Sequence, residues 1–185
     1  VFVGRIRSEA ARLVTLIEDI IRLSQLDEGV ELPVESVALR PLAEETVSSL
    51  HDAAAAKNVT LSVTGEAVTV RSVRRLLSEI LYNLCDNAIK YNVPNGSVTV
   101  TLSPTANGAA LTVSDTGIGI PPEHQSRIFE RFYRVDKSHS RQSGGTGLGL
   151  SIVKHAVQDL GGAIHLDSTP GQGTSIRVTI PNKEA

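Results

Sequence analysis

Four polar side chains recur over one short stretch: Glu79, Asn83, Asn87 and Lys90. On a helix, at roughly 100° per residue, they form a single stripe about 80° wide. Asparagine is an indifferent helix former, so two of them one turn apart are not explained by propensity. Carboxamide oxygens are hard ligands suited to Mg²⁺, which keeps most of its waters and bridges to phosphate. A carboxylate one turn away could polarise a hydroxyl or imidazole, and a lysine could meet phosphate charge. Taken alone, the same stripe also describes the solvated face of an amphipathic helix.

Two glycine-containing segments offer complementary chemistry. Asp115-Thr116-Gly117-Ile118-Gly119 follows an alternating run, which places a carboxylate at a strand end beside backbone that can turn sharply. An anionic acceptor there suits an exocyclic amine such as that of adenine, although the pattern is also a common turn. Gly144-Gly145-Thr146-Gly147-Leu148-Gly149-Leu150 opens directly into an apolar helix, and free N–H groups at a helix N-terminus make an anion site. It lacks the spacing of a dinucleotide fingerprint and the Gly-Lys-Ser/Thr of a P-loop. Between the two, residues 127–141 carry five basic residues against two acidic ones. That net +3 is what a lid over a triphosphate needs, and also what ordinary solvated surface can show.

The elements that must position these groups follow from periodicity. The spacing predicts a helix over 72–91 whose other face, Val73, Leu76, Leu77, Ile80, Leu84 and Ala88, is core. Helices are also expected from Pro41 to Ala54, from Pro121-Pro122 through Phe132, and over 148–160. Strands are expected at 59–63, with 68–70 paired to it, and about Asn107-Gly108 as a hairpin. A second hairpin, 163–167 with 174–180, turns at Thr169-Pro170-Gly171. This order is α+β, a two-layer sandwich of a mixed, mostly antiparallel sheet covered by helices, and not a regular βαβ series. Ahead of it, Val3, Ile6, Ala10, Leu13, Ile17 and Ile20 alternate spacings of three and four, widened by Leu16 and Leu23. That seam predicts one long helix over 1–28 that pairs with a partner helix, as in a homodimer, or packs on its own domain. A linker at 29–35, a globular domain at 36–182 and a tail at 183–185 complete the expected organisation.

Composition narrows the function classes. A net charge of −2 gives no reason to expect nucleic acid or an anionic membrane. One cysteine excludes an internal disulfide framework, and no apolar run approaches the roughly 20 residues of a membrane span. Opening on Val1 without a methionine anywhere, the chain reads as a piece of something longer.

In this order the segments resemble the ATP-binding catalytic domain of sensor histidine kinases, within the superfamily of Hsp90-, gyrase- and MutL-type ATPases with the Bergerat fold. Its N box is matched by Glu79-xxx-Asn83-Leu84-xx-Asn87-Ala88-x-Lys90-Tyr91, and its first glycine box by Asp115-x-Gly117-x-Gly119. The F box is matched by Phe129-Glu130-Arg131-Phe132-Tyr133-Arg134, and the second glycine box by Gly145-Thr146-Gly147-Leu148-Gly149-Leu150. The resemblance covers about 36–182, and residues 1–28 are similar to the second helix of the dimerisation and phosphotransfer hairpin, ending in Leu23-Ser24-x-Leu26.

The resemblance implies binding of ATP or ADP with Mg²⁺, the metal held by Asn87 and Asn83. Glu79 would polarise an acceptor imidazole, Asp115 would receive the adenine amine, Lys90 and Arg134 would face phosphate, and Tyr91 would flank the base. Gly117, Gly119, Ile120, Phe132, Tyr133, Gly145, Thr146, Gly147, Leu148 and Gly149 complete the implied nucleotide contacts. It implies a histidine on a hairpin helix of the same or a partner protomer as acceptor, and a response regulator receiver domain as the next partner. It also implies a cytoplasmic location in a membrane-bound sensor. The departure is that His51, His124, His139, His155 and His165 all lack the acceptor's context, a following acid and a proline five residues on. The alternative is therefore a nucleotide-binding and dimerisation module that transfers nothing.

Overall fold

The computed structural model describes residues 10, 13–18, 20, 21, 24, 32–135 and 145–183. The elements are β1 (Glu35–Ala38), α1 (Leu39–Ser49), α2 (His51–Ala55), β2 (Thr60–Gly65), β3 (Thr69–Ser72) and α3 (Arg74–Lys90), then β4 (Ser97–Thr105) and β5 (Gly108–Asp115). A short α4 (Pro122–Gln125), α5 (Gly149–Asp159), β6 (Ala163–Thr169) and β7 (Gly173–Pro181) follow. Five strands form one sheet in the order β2-β4-β5-β7-β6, with β2 parallel to β4 and the other pairs antiparallel.

Alternation along the strands makes the sheet two-faced. Val98, Val100, Leu102, Leu111, Val113, Ile176, Val178 and Ile180 are buried under the helices. Their neighbours form a hydroxyl-rich face tied by Ser62–Thr99, Thr64–Thr101 and Ser114–Ser175 hydrogen bonds of 2.9–3.1 Å. Helix α3 lies on the apolar face with Leu76, Leu77, Ile80, Leu81, Leu84, Cys85, Ala88 and Ile89 buried, and α5 contributes Val153, Ala156 and Val157 to the same core. Burying such a side chain stabilises by about 1.5–3 kcal/mol, which holds both site-bearing helices in fixed orientation.

Two expectations need correcting. Segment 68–70 does not pair with 59–63; β3 pairs antiparallel with β1 in a separate two-stranded sheet, with Val70 opposite Val37 and both buried. A four-residue alternation fixes which face is buried but not the partner. The helix expected through Phe132 stops at Gln125, and Phe132 takes a left-handed φ of 65°, incompatible with a continuing helix. The first hairpin forms as expected, although Gly108 already belongs to β5 and the loop is Ala106-Asn107.

The described residues from 10 to 24 are helical. Leu13, Val14, Ile17, Ile20 and Ile21 are exposed, whereas Leu16 packs on Leu148 and Ile152 at the start of α5. The seam positions Val3, Ile6 and Leu23 and the loop over 136–144 lie outside the described residues. Leu32 and Val34, ahead of β1, pack against the core. Among the described residues no helix is long and apolar enough to cross a membrane.

Cys85 is buried at 1% exposure, and burial, helped by Asp86, pushes its thiol up to about 12. Folded protein should therefore leave Cys85 unmodified by a thiol-disulfide reagent at pH 8, and denaturant should release one reactive thiol. Rapid labelling without denaturant would show that this part of the core opens readily.

Candidate nucleotide site

The stripe on α3 forms as the spacing requires, and it meets the start of α5. Asn83, 7% exposed, donates from Nδ2 to the Glu79 carbonyl at 2.8 Å, which leaves Oδ1 as its outward acceptor. A Cβ on Gly149 would stand 3.0 Å from that Oδ1 and 3.4 Å from Asn87 Nδ2. The two carboxamides thus lie against the first residue of α5, which carries no acidic residue in its first turn and no side-chain cap. Its leading N–H groups are available to an anion, as at other open helix N-termini. Thr146 shapes the approach by accepting the Leu148 N–H at 3.3 Å.

Glu79 Oε2 is shielded from solvent on the same stripe. Beside Glu79 lies an open groove of about 520 Å³, lined also by Pro33, Glu35, Arg75, Ser78 and Tyr82. Lys90 is engaged otherwise than expected: its ammonium pairs with Asp86 one turn back at 2.6 Å. Lys57 reaches the end of the same helix, donating to the Ile89 and Lys90 carbonyls, and burial and then Lys90 hold its pKa below the usual lysine value.

Asp115 ends β5 with one carboxylate oxygen fully used. Oδ1 accepts the Gly117 N–H at 2.8 Å and the Thr174 N–H at 3.2 Å. Burial raises the Asp115 pKa and these two N–H donors oppose the rise. The loop beyond is a strap between elements: Ile118 donates to the Tyr91 carbonyl at 3.1 Å and accepts from Gly171 N–H at 2.8 Å. Glycine is required at two points of the strap. A Cβ at Gly117 would lie 2.4 Å from the Tyr91 carbonyl oxygen, and one at Gly119, with φ of 68°, 2.1 Å from that of Thr169. Ile120 leaves the strap anchored by its N–H to Ser168 Oγ at 2.9 Å.

The F box reaches the glycine loop through its backbone, since Phe132 N–H donates to the Gly147 carbonyl at 2.9 Å. Phe132 itself is 59% exposed. Tyr133 shares a 2.6 Å hydrogen bond with His124 and lies under the Arg127 guanidinium, 4.3 Å from its ring centre. Arg131 donates to His155 on α5 at 2.9 Å. Arg134 holds Nε and Nη2 away from solvent with no hydrogen-bond partner among the described residues. A shielded cation without an acceptor is costly, so this guanidinium suits an anionic ligand. A Cβ on Gly145 would approach the Tyr91 hydroxyl to 3.3 Å, which places Tyr91 beside the glycine loop.

The fold therefore brings Asn83, Asn87 and Gly149 together, and links Asp115, Gly117 and Tyr91 through the strap and Phe132 to Gly147 by a direct backbone bond. Asp86, Lys57, Gln125, Ser168 and Thr174 were not singled out from sequence. Asp86 had a readable signal, its i,i+4 spacing to Lys90; Thr174, 59 residues from Asp115, had none.

Known proteins resemble this chain in sequence and fold. Residues 72–184 match the family model described as histidine kinase-, DNA gyrase B-, and HSP90-like ATPase. The sensor-like histidine kinase SenX3 of Mycolicibacterium smegmatis is 40% identical over 185 residues, 97% of this chain and 47% of that protein. The circadian input-output histidine kinase CikA of Synechococcus elongatus is 36% identical over 98% of this chain and 25% of its own length. The chain thus spans about half or less of the curated relatives it matches. Among solved structures, the mycobacterial sensor histidine kinase MprB aligns with TM-score 0.70 at 30% identity, over 83% of this chain and 100% of that one. Full-length ShkA in complex with AMPPNP aligns with TM-score 0.83 at 27% identity, over 100% of this chain and 39% of that one. The chain belongs to the histidine kinase-, DNA gyrase B- and HSP90-like ATPase family, as the ATP-binding catalytic domain of its sensor histidine kinase members.

Proposed function

We propose that this domain binds Mg-ATP and passes the γ-phosphoryl group to a histidine on a phosphotransfer hairpin. The observation that carries the reading is the contact of Asn83 and Asn87 with Gly149 at the open N-terminus of α5. The Asn83 amide oxygen and the Asn87 carboxamide, set beside free N–H groups, suit a hydrated cation bridging to phosphate better than they suit a core. Among the described residues no three His, Cys, Asp or Glu side chains cluster for a metal, so carboxamides, water and phosphate would complete the coordination. Asn87 and Asn83 would hold Mg²⁺, which when bound neutralises phosphate charge.

The chain's own residues then supply positioning and electrostatics, the main needs of phosphoryl transfer. Asp115, with Oδ1 occupied, presents Oδ2 as an acceptor for the adenine amine. Arg134 would turn its unmatched N–H groups to phosphate oxygens, and the α5 N-terminus would add its dipole. The acceptor imidazole would approach through the groove beside Glu79, whose carboxylate would take up its ring N–H proton and raise its nucleophilicity. Lys90 would have to exchange Asp86 for phosphate, so its contribution depends on that pair opening.

His51 opens α2, His124 and His155 are held by Tyr133 and Arg131, and His165 lies on β6; His139 is outside the described residues. None has the acceptor context, so the acceptor would lie on a segment similar to the partner of residues 1–28. From there the phosphoryl group would pass to an aspartate of a response regulator. The exposed apolar residues of 13–21 support a helix pair or homodimer through 1–28. The same reading takes 29–35 as linker and 36–182 as catalytic domain, with a cytoplasmic placement in a membrane-bound parent inferred from the family alone. Incubation with radiolabelled Mg-ATP should give no acid-labile phosphohistidine on this chain and should label a supplied hairpin. Stoichiometric phosphohistidine on any of its own five histidines would overturn the assignment; nucleotide binding with no transfer to any hairpin would favour a purely regulatory module.

A further inference from the structure

The turn between β6 and β7 and the short helix α4 grip the loop that follows Asp115. Ile120 is held at both backbone groups by side chains. Its N–H donates to Ser168 Oγ at 2.9 Å, and its carbonyl accepts from Gln125 Nε2 at 2.9 Å. The second hydrogen of that same amide donates to the Ser168 carbonyl at 2.9 Å. Ser168 Oγ also donates to the Gly173 carbonyl at 3.1 Å and shares a 2.9 Å hydrogen bond with Thr174 Oγ1. Thr174 N–H then ends on Asp115 Oδ1. Gln125 and Ser168 are both half-buried, and no sheet ladder supports residues 116–120. The strap's far end is therefore fixed by two side chains whose hydrogen bonds, among the described residues, reach neither α3 nor the glycine loop.

We infer that Gln125 and Ser168 are positioning residues for base recognition: they set the Asp115–Ile120 strap, and through Thr174 the aim of the Asp115 carboxylate. The inference rests on the reading that Asp115 receives the adenine amine. Gln125 uses both hydrogens of its amide on two carbonyl oxygens, so the site requires a double donor there. A carboxylate of the same shape would face two carbonyls with no proton to give. Because the network acts at the base end, its loss should weaken adenine binding without disturbing the phosphate end. It also joins the adenine acceptor to α4, the first element of the segment that leads to the F box.

The test uses the 185-residue chain with Gln125→Glu, Gln125→Leu and Ser168→Ala. Calorimetry at pH 8 should show adenosine and ADP affinities reduced about tenfold in each variant, equally with and without Mg²⁺. Phosphoryl transfer to a supplied hairpin at saturating ATP should stay within about twofold, giving a KM effect with little change in kcat. The Gln125→Glu loss should shrink toward pH 5, where the protonated carboxyl regains one donor, whereas Gln125→Leu should show no such recovery. A general packing defect would not produce that pH dependence. If Gln125→Glu fails to fold, as judged by near-ultraviolet circular dichroism, Ser168→Ala carries the same affinity expectation alone. Wild-type binding with undiminished adenosine affinity in the folded variants overturns the inference by itself. Wild-type protein that binds no adenine nucleotide overturns the reading of Asp115 and this inference together.

Discussion

Asp115→Asn should lose adenine nucleotide affinity by about tenfold or more while folding as well as the parent at pH 7. Two charge-assisted features meet at this carboxylate. Oδ1 is committed to the Gly117 and Thr174 N–H groups, and an asparagine Oδ1 can accept both in the same geometry. At the other position the substitution replaces an anionic acceptor with an NH₂ donor facing the donor amine of adenine. Losing a hydrogen bond to a charged group costs about 1.5–3 kcal/mol, which is roughly ten- to a hundredfold in affinity. Stability should move the other way. Burial raises the Asp115 pKa above its unfolded value, so its contribution to stability is present below the unfolded pKa and is lost as pH rises through the folded one. At pH 7 the ionised group opposes folding, and the amide removes that opposition. Calorimetry should therefore report weaker ADP binding with an unchanged or raised thermal midpoint. Unchanged affinity would remove Asp115 from base recognition, and a lowered midpoint would mean that the carboxylate is a structural anchor.

The two site-bearing helices, α3 and α5, were the most legible part of this fold because their two faces differ in chemistry. In α3 the apolar positions and the Glu79-Asn83-Asn87-Lys90 stripe have one period, so the core face and the site face could be told apart before either was seen. The boxes were legible because glycine and asparagine at those spacings conflict with local propensity. Partners distant in sequence were not legible. Nothing in Thr69–Ser72 distinguishes Glu35–Ala38 from Thr60–Gly65 as its mate, since each offers a short alternating run. Gln125 and Ser168 are 43 residues apart and belong to no motif, so only the folded strap relates them. Phe132 is hidden for a different reason: its left-handed backbone follows from the Gly147 contact and the turn after Arg131, which outweigh its own preference. The Asp86–Lys90 pair is legible at i,i+4, and the carboxylate one turn back competes with phosphate for the lysine.

The same α3 geometry separates a residue needed for chemistry from one needed for the fold. Asn87 is half-buried, and its carboxamide makes no hydrogen bond among the described residues, whereas Asn83 is buried and bonded to the Glu79 carbonyl. Replacing Asn87 by alanine removes nothing the helix uses and introduces a better helix former, worth up to about 0.7 kcal/mol. The thermal midpoint of Asn87→Ala should therefore equal or slightly exceed that of the parent. Its function should collapse. A side-chain oxygen on Mg²⁺ supports several kcal/mol of phosphate charge neutralisation, so transfer to a supplied hairpin should fall on the order of 10²-fold or more. The loss should be conditional on the metal: ATP affinity measured with Mg²⁺ should drop to the level measured in chelator, and affinity for adenosine, which has no phosphate, should not change. Asn83→Ala should show the same metal-dependent loss together with a lowered midpoint, because it also vacates a buried site. If Asn87→Ala transfers phosphate at the parental rate, Asn87 is a surface residue and the metal belongs elsewhere on the stripe.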